Sequence, residues 1–179
     1  MKKILALLVV VVVVSFGGYQ LYYRYAPSIP DDISEDARNT RDDESATRLF
    51  ASDKYGFALE YPRDLATSSF QEIEETMTYL FEGTDAKSGF QIFVSPFDEE
   101  GPVTKERIRQ DLPDLEVENL LEVIVTKQKI HATVFDSKDQ AGAPTKEVWL
   151  VQGGYLYQVT APREYEKALI EMFASWDFQ

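Results

Sequence analysis

The sequence predicts an α+β domain, a mainly antiparallel β-sheet flanked by helices, behind an N-terminal transmembrane or signal helix. Three observations predict it. Residues 4–21 form an uncharged run behind Lys2 and Lys3. From about residue 55, short runs of alternating apolar and polar residues are separated by Gly-, Pro- and Asp-containing turns, the pattern of antiparallel strands with tight connections. A helical stripe comes last, after Pro162, and supplies a cover for one face of the sheet.

The leader admits two physical readings. Ile4 to Val14 has the length of a signal-peptide core, about 7–15 residues, with the small residues Ser15 and Gly17 at cleavage spacing. Ile4 to Tyr23 reaches the about 20 residues of a spanning helix, each adding about 1.5 Å across a hydrocarbon core about 30 Å thick. Tyr19, Tyr22, Tyr23 and Tyr25, with Arg24 among them, favour the anchor, because rings with polar tips settle at the headgroup level. Lys2 and Lys3 then stay cytoplasmic and the rest of the chain faces outward. Residues 1–25 are therefore expected to be the membrane contact, with the body secreted if the leader is cleaved. The chain has no cysteine, which excludes a lipid-modified cysteine and disulfide staples.

Residues 26–50 read as an acidic flexible linker. Pro27 and Pro30 stop a helix, and Asp31 to Arg48 has too few large apolar residues to offset ordering entropy. Residues 51–179 form a single domain, large enough for a core of its own.

Within that domain, Tyr55 to Pro62 alternates as a strand, ended by the proline. Met77 to Glu82 and Phe90 to Ser95 are two more, joined as a hairpin through Asp85 to Gly89. Thr104 is an N-cap for a short helix over Lys105 to Leu112, with Ile108 and Leu112 facing inward and Pro113 as the stop. Leu120 to Thr126 and Ile130 to Phe135 are strands about a turn at Lys127 to Lys129. Asp136 to Pro144 reads as a polar loop. Thr145 to Gln152 and Tyr155 to Thr160 pair across Gly153-Gly154, a strong two-residue hairpin signal. Pro162 starts the final helix, whose stripe is Tyr165, Leu169, Ile170 and Phe173, and Trp176 and Phe178 close the domain.

Net charge is −13. Such a surface repels phosphate backbones and anionic headgroups, so nucleic acid is not an expected partner. A basic protein partner or a divalent cation would be attracted, and solubility alone explains much of the excess.

The strand Gly56-Phe57-Ala58-Leu59-Glu60-Tyr61-Pro62, the pair Glu147-Val148-Trp149-Leu150 and Gly154-Tyr155-Leu156-Tyr157-Gln158-Val159-Thr160, and the ending Ser175-Trp176-Asp177-Phe178 resemble the PsbP-like superfamily over residues 55–179. That family is named for an extrinsic subunit of photosystem II. The resemblance implies an antiparallel sheet flanked by helices, and a non-enzymatic binding or assembly module on the outer side of a membrane. It transfers no site residue, and the photosynthetic role does not carry over.

Chemistry-bearing motifs are few. His131 is the lone histidine, and without a second histidine or a cysteine no conventional zinc or copper site is expected. There is no G-x-S-x-G elbow and no P-loop, so no catalytic residue, metal ligand or cofactor is assigned. The acidic turn Asp98-Glu99-Glu100 and the loop with Asp136, Asp139 and Gly142 have oxygen ligands for loose calcium binding, but neither has EF-hand spacing, and a solvated loop is the plainer expectation. Trp149, Tyr155 and Tyr157 are candidates for an exposed aromatic partner patch, with Trp149 and Tyr157 facing each other across the hairpin, although core packing is the plainer expectation for these rings. Asp98, Glu99 and Glu100 are candidates for an acidic rim. The expected function is a membrane-tethered extracytoplasmic binding module in a bacterial envelope, meeting an envelope protein. The alternatives are an envelope hydrolase using loop carboxylates and an acidic calcium-responsive adhesion domain.

Overall fold

A computed structural model describes residues 46–71, 75–85 and 87–179. The leader, residues 1–25, and the linker up to residue 45 lie outside the described residues. No helix among those described is long and apolar enough to cross a membrane.

Among the described residues, ten strands and two helices follow in the order β1 (Thr47–Ser52), β2 (Phe57–Pro62), β3 (Ala66–Phe70), β4 (Met77–Glu82), β5 (Gly89–Pro96), α1 (Lys105–Asp111), β6 (Glu118–Val125), β7 (Ile130–Lys138), β8 (Pro144–Gln152), β9 (Tyr155–Pro162), α2 (Glu166–Ser175) and β10 (Asp177–Phe178), with a 3-10 turn over Arg163–Tyr165 leading into α2. Seven strands form one sheet in the order β3-β4-β5-β9-β8-β7-β6, and β1-β2-β10 form a second. Every pairing is antiparallel.

The large sheet is covered on both faces. On the first face lie the small sheet and α2, with a core that includes Phe57, Leu59, Phe81, Phe90, Tyr157, Leu169, Phe173 and Trp176. Aromatic rings interdigitate there with aliphatic side chains from both sheets. Phe81 and Phe90 stack at 4.3 Å, and Trp176 stacks on Phe57 at 5.1 Å and on Phe173 at 5.2 Å. Two of its polar contacts are paired, Tyr157 Oη donating to the Tyr55 carbonyl at 2.9 Å and the Ser52 and Tyr79 hydroxyls meeting at 2.7 Å, while the Trp176 indole N–H and the Tyr165 hydroxyl are buried without a hydrogen-bond partner. On the second face, α1 and the loops around it bury Val103, Ile108, Phe135, Trp149 and Leu156.

The α1 cap is as the sequence predicts: Thr104 Oγ1 accepts from the Arg107 amide at 3.2 Å. The final helix differs. It begins at Glu166, and its inward stripe is Leu169, Met172 and Phe173, while Ile170 is 65% exposed. Leu169 and Phe173 are four apart and set the buried face, and Ile170 lies about 100° round the helix from Leu169.

Three strands escape the sequence pattern. β1 starts at Thr47, inside the last residues assigned to the linker, and is held by pairing with β2 rather than by its own alternation. β3 is a polar edge strand, and β10 has two residues. Strand β7 runs through Asp136 and Ser137, which the sequence places in a loop. Asp136 is buried there because its charge is matched. Lys146 Nζ lies 2.7 Å from Oδ1, and Asn119 Nδ2 donates to Oδ2 at 2.8 Å. These contacts, Lys146 first, hold its carboxyl below the usual range. Lys146 also reaches Glu166 at 3.1 Å, tying the first turn of α2 to the sheet.

Gly89 makes the β4–β5 hairpin possible. Its φ is +124°, and a Cβ there would sit 2.1 Å from the Phe81 carbonyl oxygen. Neither the conformation nor the space admits a side chain. Gly89→Ala is expected to cost about 2 kcal/mol or more, seen as a lower urea midpoint at an unchanged m-value.

Candidate functional site

Strand alternation decides what the second face presents. On β8, Thr145, Glu147 and Trp149 share that face. The β8–β9 register sets Glu147 opposite Thr160 and Trp149 opposite Gln158. The β5–β9 register adds Gln91 opposite Thr160 and Phe93 opposite Gln158, and β4 adds Thr78 opposite Phe93. Four adjacent strands thus place a polar stripe in the middle of a buried sheet. Leu112 and Leu115, at and beyond the end of α1, roof it, and Lys138 and Asp139 stand at its rim. Together these residues line a cavity of about 30 Å³, room for roughly two water-sized groups. A smaller cavity of about 10 Å³ shares Leu112, Trp149 and Gln158 with it.

Glu147 is the centre of this stripe and is 6% exposed. Its Oε1 accepts from the Thr145 hydroxyl at 2.9 Å, and its Oε2 accepts from the Thr160 hydroxyl at 2.7 Å and from the Trp149 indole N–H at 3.4 Å. Thr145 and Trp149 are two residues to either side on one strand, so they share its face, and Thr160 is its cross-strand partner. All three donors are neutral. Burial pushes the carboxyl up, and the three hydrogen bonds oppose this only in part. The lysine at the rim is engaged elsewhere, since Lys138 Nζ pairs with Glu116 at 2.8 Å. Gln158, 6% exposed, and Gln91 line the same cavity, and neither amide hydrogen-bonds to another described residue. The site therefore offers one carboxyl and two free carboxamides on rigid strands between apolar walls. It is built to hold a proton or a small polar group.

The residues singled out from sequence lie elsewhere or play other parts. Trp149 and Tyr157 are both buried, on opposite faces of the sheet. Trp149 pairs with Gln158 and Tyr157 with Leu150, which corrects the expectation that they face each other across the hairpin. The physical reason is the register: the two-residue turn puts partners of unlike parity opposite each other. Tyr155 packs edge-on against Tyr55 at 5.1 Å. Asp98 and Glu99 are not a free acidic patch. Both engage Arg107, Asp98 at 3.2 Å, with Asp111 completing the cluster at 2.6 Å, and Arg107 lies over the Phe97 ring. Glu100 is exposed. His131 is a surface residue whose Nδ1 meets Glu122 Oε1 at 2.6 Å. Asp136 faces Lys146, away from the loop, and Asp139 Oδ1 accepts from the amides of Ala141 and Ala143. Among the described residues, no group of three or more His, Cys, Asp and Glu is placed to hold a metal ion.

Glu147, Gln91 and Gln158 were not singled out as site residues. One signal was available. A two-residue turn at Gly153-Gly154 pairs Gln152 with Tyr155, and counting back in step pairs Glu147 with Thr160. An acid in the middle of a strand that also carries Val148, Trp149 and Leu150 is unusual in its own right.

Because the folded-state pKa of Glu147 lies above the ordinary 4.5, its contribution to stability is complete below that value and is lost as pH rises through the folded value. Glu147→Gln keeps the shape of the neutral acid. Its stability is expected to improve relative to the native protein between about pH 4 and pH 7.5, read as diverging urea midpoints. A difference that does not change with pH would refute a buried, raised carboxyl.

No family model and no curated protein matches this sequence. Among solved structures, the chain is similar to cyanobacterial PsbP (CyanoP) from Synechocystis sp. PCC 6803, with a TM-score of 0.51 and 10% identity over 75% of this chain and 93% of that one. At that identity the likeness concerns the fold alone, and it agrees with the resemblance read from the strand motifs. The chain has a PsbP-like fold.

Proposed function

We propose that this protein is a membrane-tethered binding or assembly module of PsbP-like type, working outside the cytoplasm without turnover of a substrate. The leader with Lys2 and Lys3 and the aromatic cluster from Tyr19 to Tyr25 would hold it to the bilayer. The acidic segment behind the leader would keep the domain clear of anionic headgroups. The partner is an envelope protein, and the exposed Glu100, with the outer edges of Asp98 and Glu99, would meet its basic side chains.

One observation carries the binding function. The cleft around Glu147 presents a carboxyl and two amides without a hydrogen bond to another described residue, from three adjacent strands of one sheet, and such a frame keeps recognition groups in place without a moving part. The loop carboxylates that a hydrolase would use at Asp98 and Glu99 are engaged by Arg107, so no specific observation favours the enzymatic alternative.

Fractionation tests the proposal. The full chain is expected in the membrane fraction after a carbonate wash, with its C-terminal domain cleaved when protease is added to intact spheroplasts. It should also crosslink to one envelope protein in those cells. Recovery as a soluble cytosolic species with its leader intact would refute the tether and the outward orientation together.

A further inference from the structure

The cleft above Glu147 lacks one thing, a positive partner, and its shape says what kind. We propose that it binds the head of a primary alkylammonium group, either a free amine or the end of a lysine side chain. This rests on the binding-module function above and names the chemical group that module recognises.

Three features of the site lead there. First, the Glu147 carboxyl is held only by neutral donors. A buried carboxylate is stable as an ion when an opposite charge reaches it, and is otherwise driven to its neutral form. Second, Gln91 and Gln158 bring amide groups to the same cavity, unpaired with any other described residue, Gln158 almost wholly buried. An ammonium has three donors and no acceptor. One carboxylate and two amide carbonyls supply the acceptors it needs. Third, the walls are Phe93, Trp149, Leu112 and Leu115. They suit a methylene stem, and aromatic faces favour a cation beside them.

Size and field agree with this. A cavity of about 30 Å³ admits a compact ammonium and part of its stem more readily than a planar guanidinium. The charged groups facing the cleft are Lys138 and Asp139 at the rim, with Lys138 paired to Glu116, and Asp111 beyond Leu112, paired to Arg107. None of the cations is left over for Glu147. The strongly acidic chain draws cations towards its surface.

Binding then ionises Glu147 and releases a proton, so affinity rises with pH until the free carboxyl is itself ionised. The test titrates the full-length protein with n-butylammonium, n-butanol and potassium chloride. A parallel arm uses acetyl-Gly-Lys-Gly-amide and the same peptide acetylated on its lysine. The readout is the indole N–H resonance of Trp149, assigned with Trp149→Phe, since that group touches Glu147. The expected result is saturable shifts with butylammonium or the lysine peptide and none with the other three. Affinity should increase from about pH 5 to pH 8 and fall by about tenfold or more in Glu147→Gln and in Gln158→Leu, both checked by thermal melting for an intact fold.

A tighter peptide than free amine identifies a partner's lysine as the source, and equal or weaker peptide binding identifies a small amine. Either supports the proposal. Equal response to butanol, potassium or the acetylated peptide would overturn it, as would undiminished binding by Glu147→Gln. Failure here leaves the membrane fractionation and crosslinking results unaffected, so the two proposals stand or fall separately.

Discussion

Strand β9 hydrogen-bonds to β5 on one side and β8 on the other, and its register governs both faces of the molecule. Tyr157, Val159 and Ala161 go to the aromatic core, while Leu156, Gln158 and Thr160 go beneath α1. A slip of one residue would exchange the two sets. It would put Gln158 among the rings around Trp176 and take Tyr157 away from the Tyr55 carbonyl. The register is pinned by the Gly153-Gly154 turn, where both residues have positive φ. Primed two-residue turns require such angles, and glycine reaches them without a Cβ penalty.

Covering both faces of one sheet has a consequence for its composition. The first face, closed by a second sheet and α2, is filled by large rings and aliphatics. The second face is closed by a seven-residue helix and its flanking loops. Beneath Leu112 and Leu115, the sheet carries Thr78, Gln91, Thr145, Glu147, Gln158 and Thr160 in place of apolar residues. A stripe of this kind weakens the hydrophobic contribution of the second face. Its cost is limited because the strand backbones remain fully paired and Glu147 has three donors. The polar stripe and the leucines above it together make the cleft.

The acidic excess is spent unevenly. Asp98, Glu99 and Asp111 converge on Arg107, and Asp136 and Glu166 share Lys146. The first cluster fastens α1 to the loop after β5, and the second fastens α2 to the sheet. Counting exposed acids along the sequence therefore overstates how many are free to meet a partner, and the turn at 98–100 is the clearest case.

Much of the fold was legible from local pattern. The alternation in β2, β4, β5, β8 and β9, the Thr104 cap and the Gly153-Gly154 turn are local, and each specifies its element within a few residues. Strands β1, β3 and β10 were not legible, because they are short or polar and are held by neighbours distant in sequence. Ile170 and Asp136 were misplaced because a helix face and a strand end are settled by what packs against them. What the sequence determined by itself is the set of core strands, their tight turns and the acidic balance, since these follow from side-chain period, backbone freedom and composition. What only the tertiary structure decided is the site. Gln91, Glu147 and Gln158 come from three strands, and their meeting depends on non-local pairing between β5, β9 and β8 and on how far α1 extends over them.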